Sequence, residues 1–524
     1  MDGRSEAAGM WEQPLGFWNI AERRPEAAAV VASPDGAYSY GEIAAQAHQL
    51  VHTLRAHGLG PGAIVGILAP NGVLPVVAAL ACHEAGWYST LVNGYLTGAE
   101  VAAIVEHAQA DALIVHEQHA DVLSGAQGAR LAGLTAVFGV GDVPDAAPLD
   151  ELRAAHPTTV PGERSAGGSI AYSSGTTGQP KGIVREAAGG DPGDDLQRAS
   201  VFGRAFGFLP FEGPHLVSTA MYHGGCHAYC MGALNVGHGL VVMSRFDAAE
   251  ALALIEHHGV RSAYMVATQF HRLLQLPADV RARHDVSSVT SVVHSAAPCS
   301  VSIKQQMMDW WGPVLWDTYG GMEGAATIAK PHRWLEKPGT VGRAIRGVQL
   351  AIFDDDGNAL GPDETGHIYY RTVAGFSYHR DQGLTRQAHQ GDMFTIGDIG
   401  YLDADGYLFI QDRAKDMIIS GGVNIYPAEV EAVLLEHPAV DDVAVIGEPD
   451  DDWGERVLAV VQPSEAVPRL GLEAALAGHC EGRLAAFKHP RRYEFRDALP
   501  RTDAGKMYKR RLRDGRPGGS GAEA

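Results

Sequence analysis

From the N-terminus to residue 412, the apolar positions alternate between two periods. In "EIAAQAHQLVHTLRAHG" (42–58), Ile43, Ala47, Leu50, Val51 and Leu54 fall on one helical face, and Gly58 is a good stop. "AIVGILA" (63–69) is a short unbroken apolar run, which predicts a buried strand. "WYSTLVN" (87–93) predicts another, and Thr97-Gly98-Ala99-Glu100 after it predicts a helix opened by a capping box. Strands alternating with helices imply parallel sheets covered by helices. The pattern changes near residue 412. After "FIQDRAKDMIISGGVNIYP" (409–427) a helix is expected with Pro427 in its first turn and Val430, Val433 and Leu434 facing inward, then a strand at "VDDVAVIG" (440–447). The expected fold is therefore α/β. A large N-terminal domain (1–412) carries parallel and mixed sheets under helices, a small α+β domain follows (413–512), and residues 513–524 form a disordered tail. No internal repeat is seen.

Composition narrows the function. With 46% hydrophobic and 20% charged residues, the 524-residue chain reads as an ordinary soluble protein with room for large cores. Its net charge of -21 disfavours nucleic acid or an acidic membrane as partner. No apolar run is long enough to span a bilayer, and the acidic N-terminus lacks the apolar core of a signal peptide. Cys82, Cys226, Cys230, Cys299 and Cys480 are irregularly spaced, which fits reduced thiols in the cytoplasm. "YHGGCHAYC" (222–230) offers His223, Cys226, His227 and Cys230 at spacings a metal could use. Without a second ligand pair nearby, core packing is the better reading.

One stretch asks for a ligand. "AYSSGTTGQPKGIV" (171–184) leaves an apolar strand end and collects serine and threonine hydroxyls, glycines and Lys181. Backbone amides freed by the glycines, with hydroxyls and a positive charge, suit a phosphate chain. It is not a Walker loop, because Gly182 follows the lysine where a magnesium-binding hydroxyl should stand. Taken alone it would pass for an ordinary connection.

Four later stretches change that: "SAAPCS" (295–300), "DTYGGMEGA" (317–325), "FTIGDIGYLDADGYLFIQDRAKDMIISGGVNIYPAEVE" (394–431) and "PRTDAGKMYKR" (500–510). With the loop, they make the chain resemble the adenylate-forming superfamily of acyl-CoA synthetases, firefly luciferase and peptide-synthetase adenylation domains, over residues 15 to 512. The resemblance implies ATP, Mg²⁺ and CoA as cosubstrates and cofactor, a small-molecule carboxylic acid as substrate, and a mobile C-terminal domain; a homo-oligomer is compatible with it.

By the same resemblance, Ser173, Ser174, Gly175, Thr176, Thr177, Gly178 and Lys181 cradle the β- and γ-phosphates. Glu323 holds Mg²⁺, with Thr176 as a further ligand. Tyr319 stacks on adenine, with Ala296, Ala297 and Pro298 on its other side and Thr318 adjoining. Asp317 accepts from the adenine amino group. Asp398 takes the ribose hydroxyls, and Arg413 lies on the same sugar. Lys506 reaches the α-phosphate and the carboxylate during adenylation. Lys415 is the hinge, Gly421 and Gly422 leave room for a pantetheine arm, and His223 lines the acyl pocket.

Within the superfamily an acyl-CoA ligase is expected. "TAMYHGGCH" lacks the carboxylate with which amino-acid activators pair a substrate ammonium, so a carrier-protein-loading domain ranks lower. A non-catalytic binder is disfavoured by Lys506, Glu323 and Asp398. The segment from 394 to 431 is most similar to ligases of fatty, steroid-like or bulky alicyclic acids, and Gly224, Gly225, Gly320 and Gly321 suggest a roomy pocket. Three positions depart from the pattern: Met322 replaces the motif threonine, Ile396 a threonine, and His367 a glutamate. The missing hydroxyl at 322 would otherwise donate to the nucleotide's phosphate. An alternative is therefore a ligase dominated by thioesterification, with weak adenylation.

Overall fold

The structure is a computed structural model describing residues 11, 13–173, 181–373, 375–420, 423–450, 453–464, 467–501 and 507–513. The helix predicted from the 42–58 pattern runs Tyr40–Ala56 and opens with a capping box between Ser39 and Glu42. The Thr97–Glu100 box caps Gly98–Ala108, with both reciprocal hydrogen bonds formed. The apolar runs become strands Ile64–Leu68 and Tyr88–Leu91, shorter at each end than the patterns that predicted them.

Among the described residues the strands form three sheets. In the first, Ala28–Ala32, Leu240–Val242, His215–Val217, Ser262–Met265, Ser291–His294 and Leu315–Gly321 run parallel before the order turns antiparallel. The second is parallel through Gly168–Ser173, which then pairs antiparallel with Lys181–Arg185. Helices Tyr40–Ala56, Val73–Glu84 and Gly224–Asn235 contribute to one core with residues of both sheets, among them Val65, Ile67, Val217 and Val242. Burial on two faces is why these strands read as continuous apolar runs.

The small domain has its own sheet, in which Val440–Asp450 pairs along its length with Gly454–Pro463. Helices Pro427–Leu435 and Leu472–Cys480 share a core with it. The last strand of the first sheet, Tyr407–Arg413, ends three residues before Asp416, and the small sheet begins at Ile418–Ser420. Lys415 sits between them, in the 3-10 turn Ala414–Asp416. No helix among the described residues is long and apolar enough to cross a membrane.

Candidate active site

The carboxyl ends of Ser291–His294 and Leu315–Gly321 open onto a cleft of about 2190 Å³ shared by the two domains. In a parallel sheet this is the edge at which ligands are expected. Loop 295–300 leaves the first of these strands, and Ser300 caps the helix Val301–Trp311 that follows. Ala296 holds φ at 73°, a region alanine rarely adopts. The Ser295 hydroxyl donates to the Thr318 carbonyl at 3.0 Å, tying this loop to the next strand. Ala296, Ala297, Pro298, Asp317, Thr318 and Tyr319 all line the cleft.

The motif "YGGME" is a hairpin turn. Gly321 faces Gly324 across the ladder, so Met322 and Glu323 occupy the two-residue tip. Gly320, at φ 151°, lies where an added Cβ would be 2.3 Å from the Gly324 carbonyl oxygen, so the turn requires glycine there. The Tyr378 hydroxyl donates to Glu323 Oε1 at 3.1 Å, and the Arg185 guanidinium donates to the Met322 carbonyl at 3.1 Å. Glu323 is thus a steadied carboxylate, a donor type that suits a hard cation.

Across the cleft, Tyr319 donates its hydroxyl to Asp398 Oδ2 at 2.9 Å. Burial, then the neighbouring Asp398 charge, drives the Tyr319 hydroxyl well above its usual pKa, so it stays protonated and donates. Arg413, the ladder partner of Asp398, places Nε 3.1 Å from Oδ1. A carboxylate presents two acceptor oxygens, a geometry that suits a diol. Asp317 Oδ2 is 2.7 Å from Lys304 Nζ, a pairing that motif reading missed because the lysine belongs to another element.

His223 stands at the N-terminus of helix Gly224–Asn235 and lines the cleft beside Tyr222, Gly224 and Met322. The cleft is roomy and Gly224 and Gly320 line it, but neighbours fill the space that the missing side chains leave. An added Cβ would lie 1.9 Å from Met322 Sδ at Gly224, 2.8 Å from Tyr264 Oη at Gly225 and 2.3 Å from Glu323 Oε2 at Gly321. Cys226 and Cys230 pack in the core one helical turn apart, with sulfurs 3.9 Å from each other.

Ser173 pairs with Lys181 in the strands that bound the phosphate-type loop. Ser174, Gly175, Thr176, Thr177 and Gly178 lie outside the described residues, as do Gly421, Gly422 and Lys506. Arg501 and Met507, which bracket 502–506, bridge to one another and line the cleft. Lys415 lines it too. Burial, with the Arg413, Arg513 and Lys181 charges, pulls its ammonium below the usual lysine range, against the opposing pull of Asp416.

Comparison with known proteins shows the family. Residues 17–377 match the AMP-binding enzyme family, and 429–506 match the AMP-binding enzyme C-terminal domain. A 2-succinylbenzoate–CoA ligase of Bacillus licheniformis is 30% identical over 96% of this chain and 100% of its own length. A feruloyl-CoA synthase of an Amycolatopsis species is 30% identical over 96% of the chain and 99% of its own. Among solved structures, the anthranilate–CoA ligase AuaEII in complex with anthranoyl-AMP is similar, with a TM-score of 0.82, 26% identity, and coverage of 96% of this chain and 98% of that one. The chain therefore belongs to the AMP-binding enzyme family and is an adenylate-forming acid–thiol ligase of the acyl-CoA synthetase kind.

Proposed function

We propose that the chain activates a bulky hydrophobic carboxylic acid with ATP and Mg²⁺ and transfers the acyl group to CoA. The observation that carries this is one cleft lined by Asp317, Tyr319, Asp398 and Arg413, the last three linked side chain to side chain, with His223 and Met322 on the same lining and Glu323 next to Met322 at the hairpin tip. In the first step a carboxylate oxygen attacks the α-phosphorus, the α–β phosphoanhydride bond breaks and pyrophosphate leaves. In the second the thiol sulfur attacks the acyl carbon and AMP leaves with the bonding pair.

Tyr319 and the 296–298 loop would sandwich the base, Asp398 with Arg413 would hold the ribose, and Lys181 with the preceding loop would hold the outer phosphates. Glu323 and Thr176 would hold Mg²⁺, whose charge offsets that of the departing pyrophosphate. The proposed domains are 1–412 and 413–512, with Lys415 as the hinge between a pose that brings Lys506 to the phosphate and one that presents Gly421 and Gly422 to the pantetheine arm. A ring-bearing acid is supported by relatives named for 2-succinylbenzoate, ferulate and anthranilate. Five free cysteines, four of them buried, support a cytoplasmic location.

A panel of acids with ATP, Mg²⁺ and CoA, followed by mass spectrometry for both acyl-AMP and acyl-CoA, tests the reading; formation of neither product would defeat it. Lys506→Ala should remove most adenylation while supplied acyl-AMP is still converted, and equal loss of both steps would contradict the two-pose assignment. Met322 favours a second reading, in which thioesterification is intact and adenylation is weak.

A further inference from the structure

Lys304 has no place in the motif set, yet it is about 1% exposed inside the cleft wall. It projects from helix Val301–Trp311, the element that follows the 295–300 loop, toward the strand carrying Asp317 and Tyr319. Its ammonium is 2.7 Å from Asp317 Oδ2 and 4.7 Å from the centre of the buried Trp334 ring. A lysine is expensive to bury, and this one is held between a carboxylate and an aromatic face. Asp317 itself lines the cleft.

We infer that Lys304 is a positioning residue that selects the nucleotide base, by engaging one oxygen of Asp317 and leaving the other to accept from the 6-amino group of adenine. This rests on the reading above that the base lies at Asp317. An ammonium only donates, so whichever group it faces must present an acceptor. With aspartate both oxygens accept, and the cleft-facing one discriminates against a 6-oxo purine, whose acceptor it would repel.

Asparagine at 317 exposes the device. Lys304 would take the amide oxygen, turning the NH₂ toward the base, where it suits a 6-oxo group and opposes a 6-amino group. Without the lysine the amide is free to present either end.

The test is the ratio of dissociation constants for ATP and inosine triphosphate, measured by calorimetry with Mg²⁺ and no acid. Wild type should prefer ATP by at least about tenfold, the worth of one hydrogen bond to a charged group. Asp317→Asn should invert the preference, and Asp317→Asn with Lys304→Met should bring the ratio within about threefold of unity. If the single and double variants share one altered ratio, Lys304 does not orient residue 317 and the inference fails while the base assignment stands. If neither variant departs from wild type, the base is not at Asp317 and that assignment fails too. A second measurement is independent of asparagine. Lys304→Met alone should raise KM for ATP at least about tenfold with kcat within about threefold. An unchanged KM in Lys304→Met overturns the inference.

Discussion

Met322 and Gly224 behave as a pair. The thioether lies where a side chain at 224 would have to be, so the substitution at the hairpin tip is matched by a glycine on the helix after His223. Met322→Thr trades this filling for a hydroxyl. If the phosphate lacks that donor in the wild type, pyrophosphate release should rise roughly 10–150-fold, the rate equivalent of one hydrogen bond to a charged group. Conversion of supplied acyl-AMP should change little. A wild type that adenylates at ordinary rates and gains nothing from threonine would end the weak-adenylation reading. Gly224→Ala should displace Met322 and impair activation of the acid. Its effect should shrink in the Met322→Thr background, so a double-mutant cycle should show coupling of about 0.5–3 kcal/mol. The residues that support Glu323 and Asp317 were not legible as motif members. Tyr378, Arg185 and Lys304 come from other elements, and spacing within a motif says nothing about what another strand or helix brings to it.

At the scale of elements, local sequence was informative wherever it satisfied its own hydrogen bonds. The capping boxes at Ser39–Glu42 and Thr97–Glu100 are both formed, because each is completed within four residues. The hairpin at Leu315–Gly321 and Gly324–Ala329 was not anticipated as a turn, since nothing in "YGGME" announces that Gly321 will pair with Gly324. The 3-10 turn at Ala414–Asp416 joins a strand of the large sheet to one of the small sheet and contains Lys415, the hinge proposed above. Proline at 415 fixes φ and removes an amide, so rotation there should be blocked. Lys415→Pro is expected to keep adenylation and lose thioester formation by at least about 100-fold, or about 2.7 kcal/mol of barrier. Single-turnover assays of the two half-reactions check this, and ordinary CoA-ester turnover would move the hinge elsewhere.

The whole molecule carries an acid-sensitive feature in its core. His238 Nε2 donates to the Leu209 carbonyl at 2.6 Å, so its Nδ1 accepts from the Ser262 hydroxyl at 3.1 Å. The Ser262 oxygen in turn accepts from His215 Nδ1 at 2.9 Å, leaving His215 Nε2 buried with no hydrogen-bond partner. Both rings are neutral in this arrangement. Burial pushes His215 down to about 3 and His238 to about 4. The unfolded chain titrates near 6.5, so below that pH it binds protons the folded protein refuses. Stability from these groups is complete above pH 6.5 and is lost as pH falls toward 4. Each neutral ring contributes a slope of about 1.4 kcal/mol per pH unit in that window. Urea unfolding of His215→Leu should show a pH slope shallower by about one proton between pH 6 and 4.5. An identical slope would place the acid sensitivity elsewhere.

By itself the sequence determined the fold class, the strand–helix rhythm, the change of pattern near 412 and the family, because periodicity and ordered motifs are local properties of a chain. The helix Tyr40–Ala56 and the strand Ile64–Leu68 follow from their own side chains. Only the tertiary structure decided how the space at Gly224, Gly225 and Gly321 is used, and that Lys304 meets Asp317 inside the cleft wall. It also brought Arg185 to a hairpin 137 residues away. A missing side chain reads as room until packing shows which neighbour occupies it. A buried charge reads as a surface lysine until the fold supplies its carboxylate.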